Sequence, residues 1–125
     1  LQRGTAAVAE AMPPKLFAAA TFQDRPEIVA EGRSMIAETH PDGLAAAERV
    51  MAEREDVQSL LPSIRVPTLV VVGREDAISP VDEMRGIAEA IPGARFHVVE
   101  GAGHMAPLER PDDFNRVLST FVDNC

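Results

Sequence analysis

The chain has 125 residues, of which 46% are hydrophobic and 26% charged, a balance that suits one folded domain or part of a larger one and excludes wholesale disorder. A formal net charge of −8 excludes the basic surface that nucleic-acid binding requires, and no apolar run approaches the roughly 20 residues of a membrane span. The single cysteine, Cys125, excludes an internal disulfide and a multi-cysteine metal site, and predicts a reducing, cytoplasmic location. No signal peptide is visible in the helix-like opening L-Q-R-G-T-A-A-V-A-E-A, which does not begin with Met.

Residues 1–53 read as entirely helical. A first helix covers Ala6 to Ala11 and is broken by Pro13-Pro14. A second, short piece covers Leu16 to Thr21. Asp24-Arg25-Pro26 starts a third, with proline in the first turn and an acid at the positive end, and Ile28, Met35 and Ile36 share a face until Thr39-His40-Pro41 stops it. Pro41-Asp42-Gly43 opens a fourth, with Leu44, Ala47 and Met51 on one stripe. These Ala- and Met-rich helices are weakly amphipathic, which suits a cover over a pocket better than an independent core. Met12, Phe17, Phe22 and Met35 are candidates to line such a pocket, although residues of these types also serve to hold helices together.

From residue 54 the character changes. After a charged stretch and Leu60-Leu61-Pro62, Thr68 to Val72 is a continuous apolar strand closed by Gly73, the pattern of a strand covered on both faces. Ser79-Pro80 begins a helix with Met84, Ile87, Ala88 and Ile91 on one stripe, ended by Pro92-Gly93. Phe96 to Val99 is a second strand, and Pro111 begins a final helix carrying Phe114, Val117, Leu118, Phe121 and Val122. Strand-helix-strand-helix predicts an α/β fold with a right-handed parallel crossover. Two strands alone leave faces and edges uncovered, so further strands are expected from a missing segment or another chain, including a second copy of this one.

Chemistry in open parallel sheets collects beyond the carboxyl ends of the strands. Asp76 lies three residues past Gly73, and His104 follows Gly101-Ala102-Gly103 after the second strand. A carboxylate and an imidazole on adjacent loops are two parts of a nucleophile-histidine-acid site, in which the histidine moves the proton and the acid holds the ring's tautomer. Asp76 also fits a turn or helix-capping aspartate, with Glu75 the adjacent competitor for the acid, and His104 fits an exposed loop histidine. Met105 borders the same site. His97, inside a strand, reads as a partly buried structural residue, and His40 as a solvated linker residue. Three isolated histidines predict no metal site.

The segment V-P-T-L-V-V-V-G-R-E-D-A-I-S-P followed by E-G-A-G-H-M-A-P-L-E-R-P-D-D-F closely resembles the C-terminal part of the α/β-hydrolase fold superfamily. It looks most like the esterase, lactonase and cofactor-free haloperoxidase branch, with its 3-oxoadipate enol-lactonase-like members. The resemblance covers residues 60–123 strongly and matches the helical first half to the family's cap insertion. It implies a fold class of two parallel strands with flanking helices from the C-terminal portion of the hydrolase sheet (residues 54–125), preceded by a helical cap (residues 1–53). It implies that Asp76 is the triad acid and His104 the triad base, with no metal or organic cofactor. The expected substrate is a small carboxylic ester or lactone, with a thioester left open, cleaved through an acyl-enzyme. The cap holds none of the tyrosines used by epoxide hydrolases, and the chain none of the tryptophans used by haloalkane dehalogenases.

No G-x-S-x-G turn occurs in the chain; Ser34, in G-R-S-M-I, follows no strand and lacks the closing small residue. The expected nucleophile therefore lies in a missing N-terminal half, and the isolated chain is expected to be inert. The alternatives are a folded fragment that assembles with a partner chain or with itself, and a non-catalytic relative used for binding.

Overall fold

The computed structural model describes residues 4–125; the first three residues of the helix-like opening lie outside it. Five helices come first: α1 (Gly4–Ala11), α2 (Pro13–Leu16), α3 (Ala19–Asp24), α4 (Pro26–Glu38) and α5 (Pro41–Ala52). A 3-10 turn, Gln58–Ser63, leads into β1 (Leu69–Gly73), α6 (Val81–Ala90), β2 (Arg95–Val99), α7 (Ala106–Glu109) and α8 (Pro111–Val122). The two strands pair in parallel, from Leu69 opposite Arg95 to Gly73 opposite Val99, so both strands end at one edge. The fold is α/β, with α6 packed on β1 and α8 on β2.

Several elements differ from the sequence expectation. Pro13 and Pro14 start α2 rather than only ending α1, because a proline at the first helical positions forfeits no intrahelical bond. The expected helix over Leu16 to Thr21 is interrupted: Phe17 (φ −115°, ψ 144°) and Ala18 (φ −63°, ψ 152°) are extended, and α3 begins at Ala19. The cause lies far away in sequence, since carboxylates of Glu109 and Glu75 take the N–H groups of Ala18 and Ala19. The four-residue helix α7 was also unforeseen. It presents Glu109 inward, although Pro107 and a neighbouring turn mask it in the sequence.

Coverage of β1 is one-sided. Val70 and Val72 are buried, whereas Leu69 and Val71 on the opposite face are half-buried. Alternate residues of a strand point to opposite faces, and burying both takes a layer on each side. Two apolar clusters form the core. Phe17, Ile28 and Val29 pack with Leu16 and Met105, joining the helical segment to the loop after β2. Val99, Ala102 and Ala106 pack with Val71 beneath that loop. The stripe of α5 is only partly covered, with Leu44 half-buried and Met51 60% exposed, and α8 buries no residue fully.

Candidate active site

The loops after β1 and β2 continue the pairing of their strands. The N–H of Arg74 donates to the Val99 carbonyl (2.9 Å), and that of Glu75 to the Ala102 carbonyl (2.9 Å). Gly73 permits this approach, because a β-carbon there would fall within 2.7 Å of the Ala102 carbonyl carbon and closer still to two carbonyl oxygens. Gly101 adopts φ +65°, a left-handed turn that glycine makes without strain, and it swings the chain back over the strand end.

Asp76 is held by its own turn. Its Oδ1 accepts from the N–H groups of Ile78 (2.9 Å) and Ser79 (2.8 Å). The same carboxylate meets Nδ1 of His104, 2.9 Å from Oδ2 and 3.1 Å from Oδ1. The Asp76 side chain is 6% exposed and that of His104 36%. One Asp76 carboxylate thus both caps its own turn and meets the His104 ring. With Nδ1 occupied, the ring's remaining nitrogen, Nε2, is the atom left to exchange a proton with another molecule.

The Asp76–His104 pair lines a cavity of about 230 Å³ at the strand ends. A separate apolar cavity of about 360 Å³ is lined by Phe17, Ile28, Gly32, Met35, Met105 and their neighbours. Phe17, Met35 and Met105 therefore share one cavity, and Met105 directly follows His104. Phe22 lies outside it and is 36% exposed. Its neighbour Thr21 faces inward, and one step along a helix turns the next side chain by about 100°, toward solvent.

The other two histidines are engaged elsewhere. Nε2 of His97 lies 3.2 Å from Oδ2 of Asp113 on α8, whose carboxylate also pairs with Arg116. His97 holds the Asp113 carboxyl below its ordinary value, with help from Arg116 and against partial desolvation. Nδ1 of His40 accepts from the N–H of Asp42 (3.3 Å) and caps α5. Among the described residues no group of three or more His, Cys, Asp or Glu side chains could hold a metal ion. None of the described helices is long and apolar enough to cross a membrane.

The family model for the alpha/beta hydrolase fold matches residues 31–111, a span that includes both site loops. The chain belongs to the α/β-hydrolase fold family. Among solved α/β-hydrolases it is similar to a thermophilic esterase from Thermogutta terrifontis, at 41% identity and a TM-score of 0.94, over 98% of this chain and 45% of that one. It is similar also to the enol-lactonase from Burkholderia xenovorans LB400, at 30% identity and a TM-score of 0.89, over 97% of this chain and 46% of that one. Among curated relatives, 3-oxoadipate enol-lactonase 2 of Acinetobacter baylyi is 28% identical over 97% of this chain and 45% of its own length. This α/β-hydrolase chain thus spans slightly less than half of those relatives.

Sequence reasoning missed the bridging contacts of Glu109, Glu75 and Arg25. Glu109 is 1% exposed and accepts three hydrogen bonds. Glu75 accepts from the Ala19 N–H (3.0 Å), and Arg25 Nη1 donates to the Leu108 carbonyl (2.9 Å). All three tie the N-terminal helices of the α/β-hydrolase chain to its site loops. Glu75 and Glu109 stood within the quoted motifs, but nothing in their spacing marks them as buried or bridging.

Proposed function

We propose that this chain supplies the acid and the base of a serine-type hydrolase acting on carboxylic esters or lactones. The observation that carries the reading is the His104–Asp76 pair, with Nε2 uncommitted at the carboxyl edge of a parallel sheet; Met105, the residue after His104, lines an apolar cavity. The esterase and enol-lactonase relatives support the bond type. The nucleophilic serine comes from outside these 125 residues, from a preceding segment or a separate chain that also supplies further strands and the oxyanion-stabilising N–H groups. A second copy of this chain lacks the G-x-S-x-G turn as well, so self-association alone completes no site. The residues before 54 form the cap, and a reducing, cytoplasmic setting suits the single cysteine.

In this scheme His104 Nε2 takes the serine proton as Oγ attacks the substrate carbonyl. Asp76 keeps the other ring proton on Nδ1 and stabilises the imidazolium that results. His104 then returns the proton to the departing alcohol oxygen, and the acyl group remains on serine. Water, deprotonated by the same nitrogen, releases the acid in a second passage. For a lactone the departing oxygen belongs to the same molecule, so ring opening yields a hydroxy acid. Phe17, Met35 and Met105 accommodate the apolar part of the substrate.

The test is hydrolysis of short-chain p-nitrophenyl esters and of a simple lactone by the complete hydrolase, meaning this chain together with the part that carries the serine. His104→Ala is expected to lower kcat by at least about 10³-fold. Undiminished turnover in that variant, or serine-dependent turnover by the 125-residue chain alone, would sink the reading.

A further inference from the structure

Glu109 is a fully enclosed carboxylate that does not itself line the apolar cavity, and all three of its donors lie outside its own helix. The Ala18 N–H (2.7 Å) and the Thr21 hydroxyl (2.6 Å) donate to its Oε2, and the Gly103 N–H (2.8 Å) to its Oε1. Two donors belong to the N-terminal helical segment, and the third immediately precedes His104. On the other side of the histidine, the Met105 N–H donates to the Leu16 carbonyl (3.1 Å). The residues on either side of His104 are therefore both tied to residues 16–21, Met105 directly and Gly103 through Glu109. Contact at this junction is close enough that a β-carbon on Gly103 would fall 2.9 Å from the Ala18 nitrogen and from the Leu16 oxygen.

We propose that Glu109 is a positioning residue for His104, transmitting the seating of the helical segment to the orientation of the imidazole. This rests on the reading of His104 as the proton-transferring base. An ionised carboxylate accepts on both oxygens, which matches the three donors it meets. A carboxamide cannot do so, because its NH2 would face either the Gly103 N–H or the Ala18 and Thr21 pair. In the first orientation Gly103 loses its anchor; in the second Gly103 keeps it but the Ala18 N–H is left without an acceptor. In both, the link between the helical segment and the histidine turn is broken at one point, and the ring turns away from the line between Asp76 and the nucleophile. Proton transfer is sensitive to such displacement, since an error of about 1 Å costs up to about 10²-fold in rate.

The experiment uses Glu109→Gln, Thr21→Val, Thr21→Ser and His104→Ala in the complete hydrolase. Readouts are ester kinetics, thermal midpoint and the long-range 1H–15N spectrum of the His104 ring, whose shifts report the tautomer. Glu109→Gln is expected to lower kcat about 10- to 100-fold, with the loss in kcat rather than KM, and to move the His104 ring nitrogens. Thr21→Val removes one donor from the far side of the carboxylate and is expected to act in the same direction, more weakly. Thr21→Ser is expected to restore both kcat and spectrum. If Glu109→Gln does not fold, Thr21→Val against Thr21→Ser decides. A lower thermal midpoint with unchanged kcat and unchanged His104 shifts would overturn the positioning role while leaving His104 as base. Full turnover in His104→Ala would instead overturn the functional reading and this inference with it.

Discussion

Gly73 and Gly103, thirty residues apart, pack backbone to backbone, so that a β-carbon on Gly73 would penetrate the carbonyl of Gly103. Gly73 closes β1 and Gly103 precedes His104, so this contact sets the spacing between the Asp76 and His104 loops. The absence of a side chain at Gly73 lets a carboxylate on one loop reach an imidazole on the next, while the absence of one at Gly103 admits the backbone of residues 16–18.

Gly73→Ala tests that contact. The methyl group meets backbone, which cannot rotate away, so one loop must shift. The expected cost is about 1–3 kcal/mol of stability, with a His104–Asp76 separation beyond hydrogen-bond reach. Chemical denaturation of the variant measures the first, and its crystal structure the second.

Asp76→Asn separates the two duties of that side chain. An amide oxygen can still accept from Ile78 and Ser79, so the turn should persist and stability should change by less than about 1 kcal/mol. The ring loses its carboxylate partner, and kcat for ester hydrolysis is expected to fall by on the order of 10³ to 10⁴. A thermal melt and steady-state assays on the complete hydrolase check the pair of outcomes.

The cavity makes a specificity prediction. Met35→Ala enlarges it at a residue 65% exposed, where loss of packing matters little to stability. Preference among p-nitrophenyl esters should move toward longer or bulkier acyl groups, by about 10-fold or more in kcat/KM ratio. Gly32→Ala should act oppositely, since a β-carbon there comes 2.9 Å from Cζ of Phe17 and pushes that ring into the cavity. Comparing the ester series between the two variants gives the direction.

Asp113 carries a pH dependence. Its carboxyl sits below the ordinary value, first because His97 hydrogen-bonds it and secondarily through Arg116. The folded state therefore binds this proton more weakly than the unfolded chain does. The resulting stability is present above the unfolded carboxylate value of about 4 and disappears as pH falls through the lower folded value. The pair is partly exposed, so Asp113→Asn should cost no more than about 1 kcal/mol at pH 7. Denaturation midpoints of wild type and variant should converge in acid; a difference that persists at low pH would contradict the linkage.

How much was legible depended on how local the cause was. The T-L-V-V-V run closed by Gly73, and the helix from Pro80 to Pro92, are local patterns whose geometry follows from adjacent residues. The break at Phe17-Ala18 was invisible because its cause is two carboxylates, Glu75 and Glu109, between about 55 and 90 residues further along. Phe22 shows the same limit on a smaller scale. The sequence offers an aromatic in a helical segment, and only the buried neighbour Thr21 decides that it points outward. His97 was read as a partly buried strand residue, but its partner Asp113 sits on a different element.

By itself the sequence determined the kind of molecule this is: a family, a parallel strand pair, and two loops bearing an acid and a histidine at the same edge. Those follow from residue order, strand propensity and glycine placement. Only the tertiary structure decided which nitrogen of His104 faces Asp76, which apolar side chains share a cavity, and that Glu109 joins the helical segment to the histidine turn. Those depend on side-chain direction and on donors and acceptors that meet across long stretches of chain, and burial, which removes water as a competitor, fixes which of them pair.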